Sequence, residues 1–140
     1  MPNLFEEKKY LRNPERVMIG VDEVGRGCWA GPVLSCASYI YPSKFTNLPK
    51  IDDSKKMRKK NRREILACSP FFSKCAIGCS TVNEIESLGI NVSNDLAALR
   101  AVIILIQNFN LYTDNNLYFD IFFDGNRVPR FDIFKNLYSL

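Results

Sequence analysis

The apolar positions of the chain change period as they run, and each change marks an element. After a polar leader, Val17 to Val24 is apolar and rich in β-branched residues and runs into Gly25 and Gly27, as a strand ending in a turn does. Pro32 to Tyr41, PVLSCASYIY, predicts a second strand closed by Pro42. A helix is expected over roughly 54 to 68, rich in Lys, Arg and Glu, with Asp53 or Ser54 as its cap. Phe71 to Val82 predicts a third strand. From about Val92 to Asn108, Leu, Ala and Ile recur at helical spacing, which predicts a largely buried helix. Leu117 to Phe123 predicts a fourth strand, ending at Asp124 and Gly125.

The order strand, strand, helix, strand, helix, strand has hairpin-like neighbours early and a helical crossover before the last strand. It predicts an α/β fold, a mixed sheet flanked by helices. No repeat, low-complexity tract or Gly/Ser linker offers a boundary, so one domain over the 140 residues is expected. The longest apolar run, around Ala101 to Ile106, is far shorter than a membrane span, and the first residues lack the apolar stretch of a signal peptide. The expectation is a cytoplasmic protein with no membrane and no obligate protein partner.

Composition narrows the chemistry further. The chain has no histidine, which excludes Ser-His and Cys-His nucleophile pairs and a histidine general base. Catalysis must then run on carboxylates, lysines or metal. Five cysteines form an odd set without a CxxC pair, so plain reduced thiols are expected, several of them in the core. Of nineteen basic residues, seven lie in KKMRKKNRR at 55 to 63. This is either a solvated helix face or a phosphate-tracking patch, and its concentration on an otherwise acidic chain favours the second.

Asp22 and Glu23 end an apolar strand, where two ionised groups need a compensating partner. Neighbours on a regular strand face opposite ways, so both serve one site only if the strand breaks there, and Gly25 is placed to allow the break. Asp124 ends another apolar strand and is also followed by glycine. The plain reading is turn acids before glycine. The chemical reading is a carboxylate cage for Mg²⁺ or Mn²⁺, which prefer such oxygens. The glycines also invite a dinucleotide reading, but Gly25, Gly27 and Gly31 give GxGxxxG, and a strand rather than a helix follows. What Gly25, Arg26 and Gly27 do offer is close backbone approach, exposed N–H groups and one guanidinium.

Residues 19 to 32, IGVDEVGRGCWAGP, resemble the signature strand and turn of ribonuclease HII. IDDSKK at 51 to 56, Glu84 to Val102 with GINVS and LAALRAV, and FDGN at 123 to 126 before Pro129 are similar to further motifs of that family in the same order. The relative ribonuclease HIII carries GKG where this chain has Gly25-Arg26-Gly27, so type HII is the nearer resemblance. The resemblance implies a ribonuclease H-like fold. It also implies a metal-dependent endonuclease cutting 5′ to ribonucleotides, in RNA/DNA hybrids or embedded singly in duplex DNA. Asp22, Glu23 and Asp124 would hold one or two Mn²⁺ or Mg²⁺ ions. Gly25, Arg26 and Gly27 would read the ribose 2′-OH, and Ser54 and Lys55 would touch nearby phosphates.

The family also carries a fourth acidic ligand in an AASIxAKVxRD-like segment and a tyrosine beyond it, and neither occurs before Leu140. Asp120 shares a strand face with Asp124 but sits about 13 Å along it at roughly 3.3 Å per residue, too far to substitute. The expectation is a C-terminally truncated product with a less covered sheet face and little or no cleavage. The alternatives are a hybrid-binding remnant and a poorly folded product.

Overall fold

The computed structural model describes residues 15–28, 30–108, 117–124 and 127–135, without the side chains of residues 45 and 46. The polar leader, Trp29, Gly125 and Asn126 lie outside the described residues. Four strands form one sheet: β1 (Arg16–Val24), β2 (Val33–Ile40), β3 (Ser73–Ser80) and β4 (Tyr118–Phe123), in the order β3-β2-β1-β4. The first three pair antiparallel, and β4 returns parallel to β1, so the expected mixed sheet is present. In β1 the period of two is visible in burial: Val17, Ile19 and Val21 are buried, while Arg16, Gly20 and Asp22 are exposed.

Three helices accompany the sheet: α1 (Lys59–Cys68), α2 (Val82–Leu88) and α3 (Ile90–Asn108). The helix expected from residue 54 starts five residues later, and neither Asp53 nor Ser54 caps it. Arg58 stands at its N-cap without a side-chain bond. The Asp53 carboxylate is used locally instead, because its Oδ1 accepts the Lys55 N–H at 2.8 Å and closes a turn of its own. The third strand is also shorter than expected, since Ser69–Phe71 is a 3₁₀ turn and Val82 begins α2. Periodicity alone does not mark α2, which opens with a capping box between Thr81 and Glu84.

The core lies between α3 and one face of the sheet. Val17, Ile19 and Val21 of β1, Ala37 of β2 and Ala76 of β3 pack against Ala98, Ala101, Val102 and Leu105. At Gly78 the helix comes so near that a Cβ would stand 2.0 Å from the Ala97 carbonyl oxygen and 2.4 Å from the Ala101 nitrogen. By length and composition α3 could cross a membrane, contrary to the expectation from the short apolar run, but half of its apolar window is buried in this packing. Across the sheet Val24, Ile77 and Tyr118 are exposed. The cysteines also depart from expectation: all five are free, four are exposed and Cys79 is half-buried. The exposed ones on strands, Cys36 and Cys75, occupy outward positions of the alternation, so none of the five is a core residue.

One ion pair joins the two neighbouring helices to the strand before them. Arg100 of α3 donates to both oxygens of Glu84 at 2.6 and 2.9 Å and to the Cys79 carbonyl at 2.7 Å. Hydrogen bonds from Arg100, then from the Thr81 backbone, hold the Glu84 carboxyl well below its ordinary value of 4.5, at about 2.

Two outcomes follow from this packing. Gly78→Ala should cost at least about 3 kcal/mol, because the obstacle is helix backbone that must move away, and a urea titration reads it directly. A melt like that of the unaltered chain would show that α3 does not sit this close. Glu84→Gln should destabilise by about 1 kcal/mol at neutral pH. A carboxylate with a depressed folded-state pKa stabilises above its unfolded value, so the two proteins should converge as pH falls from about 4.5 toward about 2. A difference independent of pH would remove the ion pair from the account.

Candidate active site

Parallel pairing of β1 and β4 brings their C-terminal ends together, and a cleft of about 210 Å³ opens there. Its walls carry Asp22 and Glu23 from β1, Asp124 just past β4, and Asn94 and Asp95 from α3. Room on this scale accommodates several waters, or an ion with part of its hydration shell. The three acids singled out from the sequence, 102 positions apart at their extremes, therefore share one cleft. The Asp124 N–H donates to the Val21 carbonyl at 3.2 Å, extending the pairing one residue beyond β4.

The expected break between Asp22 and Glu23 does not occur. Both pair in register with β2, opposite Cys36 and Ser35, and the chain turns only after Val24. Both reach the cleft because it opens at the strand end. Asp22 folds its side chain along the backbone, with Oδ1 accepting the Glu23 N–H at 2.8 Å. The break falls at Gly25, whose φ of +97° and 2.6 Å virtual Cβ contact with the Pro32 carbonyl admit no side chain. Gly27 faces open space.

Two arginines temper the negative charge. Arg26 lies 3.7 Å from the Glu23 carboxylate and donates to Asn91 Oδ1 at 2.7 Å, tying the GRG turn to the start of α3. Arg127 donates both terminal nitrogens to Asp95, one at 2.6 Å, and the Arg130 N–H adds a third bond at 3.1 Å. Asp95 is 1% exposed, so removing its partner would strand a buried charge at a cost of about 3–5 kcal/mol. Sequence reading missed Asp95 and Arg127. The available signal was one acid, the sole one of α3, set in an otherwise apolar helical pattern.

Ser54 and Lys55 are not brought to the cleft: both are exposed in the turn before α1. Arg62 fastens that turn by donating to the carbonyls of Ser54 and Met57 at 2.9 and 2.6 Å. All seven basic residues of 55–63 are exposed. Asp120, already judged too distant, is held by Arg16 at 2.7 Å, and the guanidinium keeps its carboxyl below the ordinary value.

The donor set fits a hard divalent cation in kind. It offers three carboxylates and, from Asn94, a buried Oδ1 without a hydrogen-bond partner among the described residues. No three such groups among the described residues are yet gathered closely enough to enclose an ion.

The architecture is that of a ribonuclease H-like α/β protein. The Mn²⁺ complex of Bst-RNase HIII aligns over 89% of this chain and 41% of its own at a TM-score of 0.65 and 17% identity, a likeness of fold. The chain itself belongs to the ribonuclease HII family, whose model matches residues 19–122. It is 34% identical over 111 residues to ribonuclease HII of Anaplasma phagocytophilum, spanning 79% of this chain and 51% of that protein. To the enzyme of Wolbachia pipientis it is 37% identical over 113 residues, spanning 81% and 52%. The chain thus spans about half the length of the curated relatives it matches.

Proposed function

We propose that this chain recognises ribonucleotides in duplex nucleic acid and that its acid cleft is the hydrolytic centre of a metal-dependent ribonuclease. The observation that carries this reading is the meeting of Asp22, Glu23 and Asp124 in one cleft at two adjacent strand ends. Asp22, Glu23 and Asp124 would hold one or two Mn²⁺ or Mg²⁺ ions, which supply a nucleophilic water and stabilise charge on the departing oxygen. In the reaction, water oxygen bonds to phosphorus on the 5′ side of the ribonucleotide, and the bond from phosphorus to the preceding 3′ oxygen breaks. That oxygen takes a proton, leaving a 3′-OH and a 5′-phosphate.

The remaining work belongs to the chain's own groups. The turn at Gly25, Arg26 and Gly27 borders the cleft, and its backbone can approach a ribose closely enough to read the 2′-OH. Arg26, fixed by Asn91, presents a guanidinium to the same neighbourhood. Ser54, Lys55 and the basic run behind them track phosphates farther along the duplex, giving salt-sensitive affinity without sequence preference. A second reading, binding of hybrids without turnover, is favoured by the incompletely gathered acids.

Binding and cleavage of a duplex with one embedded ribonucleotide, beside its all-DNA counterpart, separate the readings. The expected result is at least a tenfold preference for the ribonucleotide duplex, erased by Arg26→Ala, with slow cleavage in Mn²⁺ that Asp124→Asn abolishes. Equal affinity for both duplexes would overturn the recognition. Selective binding without cutting would keep recognition and reject the hydrolytic assignment.

A further inference from the structure

Resting on the reading of the cleft as a divalent-metal centre, we propose that Asp95 is the positioning residue that sets Asp124 in its place. Asp124 lies at the end of β4, where the chain must leave the sheet. On the sheet side its N–H donates to the Val21 carbonyl at 3.2 Å. On the other side, only two residues separate it from Arg127. Three residue steps reach at most about 11 Å, so whatever fixes Arg127 restricts Asp124.

What fixes Arg127 is a built socket. The Asp95 carboxylate, 1% exposed on α3, takes both terminal nitrogens of Arg127 and the backbone N–H of Arg130. Three donors on two oxygens in a parallel fork define the guanidinium's plane as well as its distance. Asp95 cannot drift, because two residues later α3 meets β3 at the Gly78 contact. The segment beyond is secured as well. Phe131 packs edge-on to Phe123 with ring centroids 5.6 Å apart, and Phe134 is buried against Leu96 and Leu99. The stretch after β4 is thereby fastened to the same helix that walls the cleft. With both oxygens engaged by Arg127 and Arg130, Asp95 acts through Arg127 on Asp124.

The two partners differ in burial, which supplies a clean variant. Arg127 is 39% exposed at its side chain and can turn to water, so Asp95→Asn removes the charge without stranding another in the interior. The experiment follows two readouts on the whole chain: hydrogen exchange of the Asp124 amide, relative to the Ile19 and Val21 amides of β1, and Mn²⁺ affinity by titration with the metal alone. Glu84→Gln, which breaks a different ion pair of α3, is the control for general loosening.

In Asp95→Asn, protection of the Asp124 amide should fall at least tenfold against β1. Mn²⁺ affinity should fall about tenfold, the usual scale for residues that orient ligands. Glu84→Gln should lower stability and leave both relative readouts unchanged. Unchanged protection at Asp124 in Asp95→Asn, or an equal loss in Glu84→Gln, would overturn the proposal. Loss of protection in a chain that binds no Mn²⁺ even unaltered would uphold the positioning role and remove the metal reading on which its purpose rests.

Discussion

At the crossing of β3 and α3 there is no room for a side chain. Gly78 lies so close to the carbonyl of Ala97 and the nitrogen of Ala101 that the helix rides on strand backbone. Small residues continue that contact: Ala37 and Ala76 from the sheet, Ala98 and Ala101 from the helix. Close contact of this kind gains dispersion over many atom pairs and tolerates little displacement. It fixes the height of α3 over the sheet, and with it the position of Asn91, Asn94 and Asp95 at the helix's N-terminal end. Had the helix stood off by a side chain's thickness, Asn94 and Asp95 would not wall the space between the ends of β1 and β4.

The cleft's chemistry follows from what lies at those ends. Acids at the ends of two parallel neighbours repel one another and accumulate negative charge, which a folded chain sustains only with compensation. Arg26 and Arg127 supply part of it from the two loops that leave the strands. Arg127 directs both terminal nitrogens to Asp95, while Arg26 approaches Glu23. The basic run of 55–63 lies on an exposed turn and helix outside this balance. The basic run and the acids of the cleft thus occupy separate regions, and neither neutralises the other.

Much of this is legible in the sequence. The four strands and their mixed pairing follow from period-two stretches and turn residues, and the three acids of the cleft were readable as strand-end carboxylates before glycine. What escaped is equally physical. Asp53 is a good helix cap by type, but a nearer N–H, that of Lys55, claims its oxygen. The short helix Val82–Leu88 hides behind strand-like residues, although its Thr81 and Glu84 spacing was a start signal. The general preference of cysteine puts several of the five in the core, yet the outward phase of Cys36 and Cys75 on their strands decides the matter for those two. Asp95 and Arg127 could not be paired from spacing alone, because the contact spans a strand and a crossover that only tertiary structure closes.

In the proposed function a divalent ion enters among Asp22, Glu23 and Asp124. Substoichiometric Mn²⁺ broadens nearby amide resonances by its paramagnetism, so titration into isotopically labelled chain locates the ion directly. The amides of Glu23, Asn94 and Asp124 should broaden first and together, while those around Asp52 and Asp53 persist. Broadening that begins at Asp52 and Asp53, or that spreads evenly over the acidic surface, would contradict it.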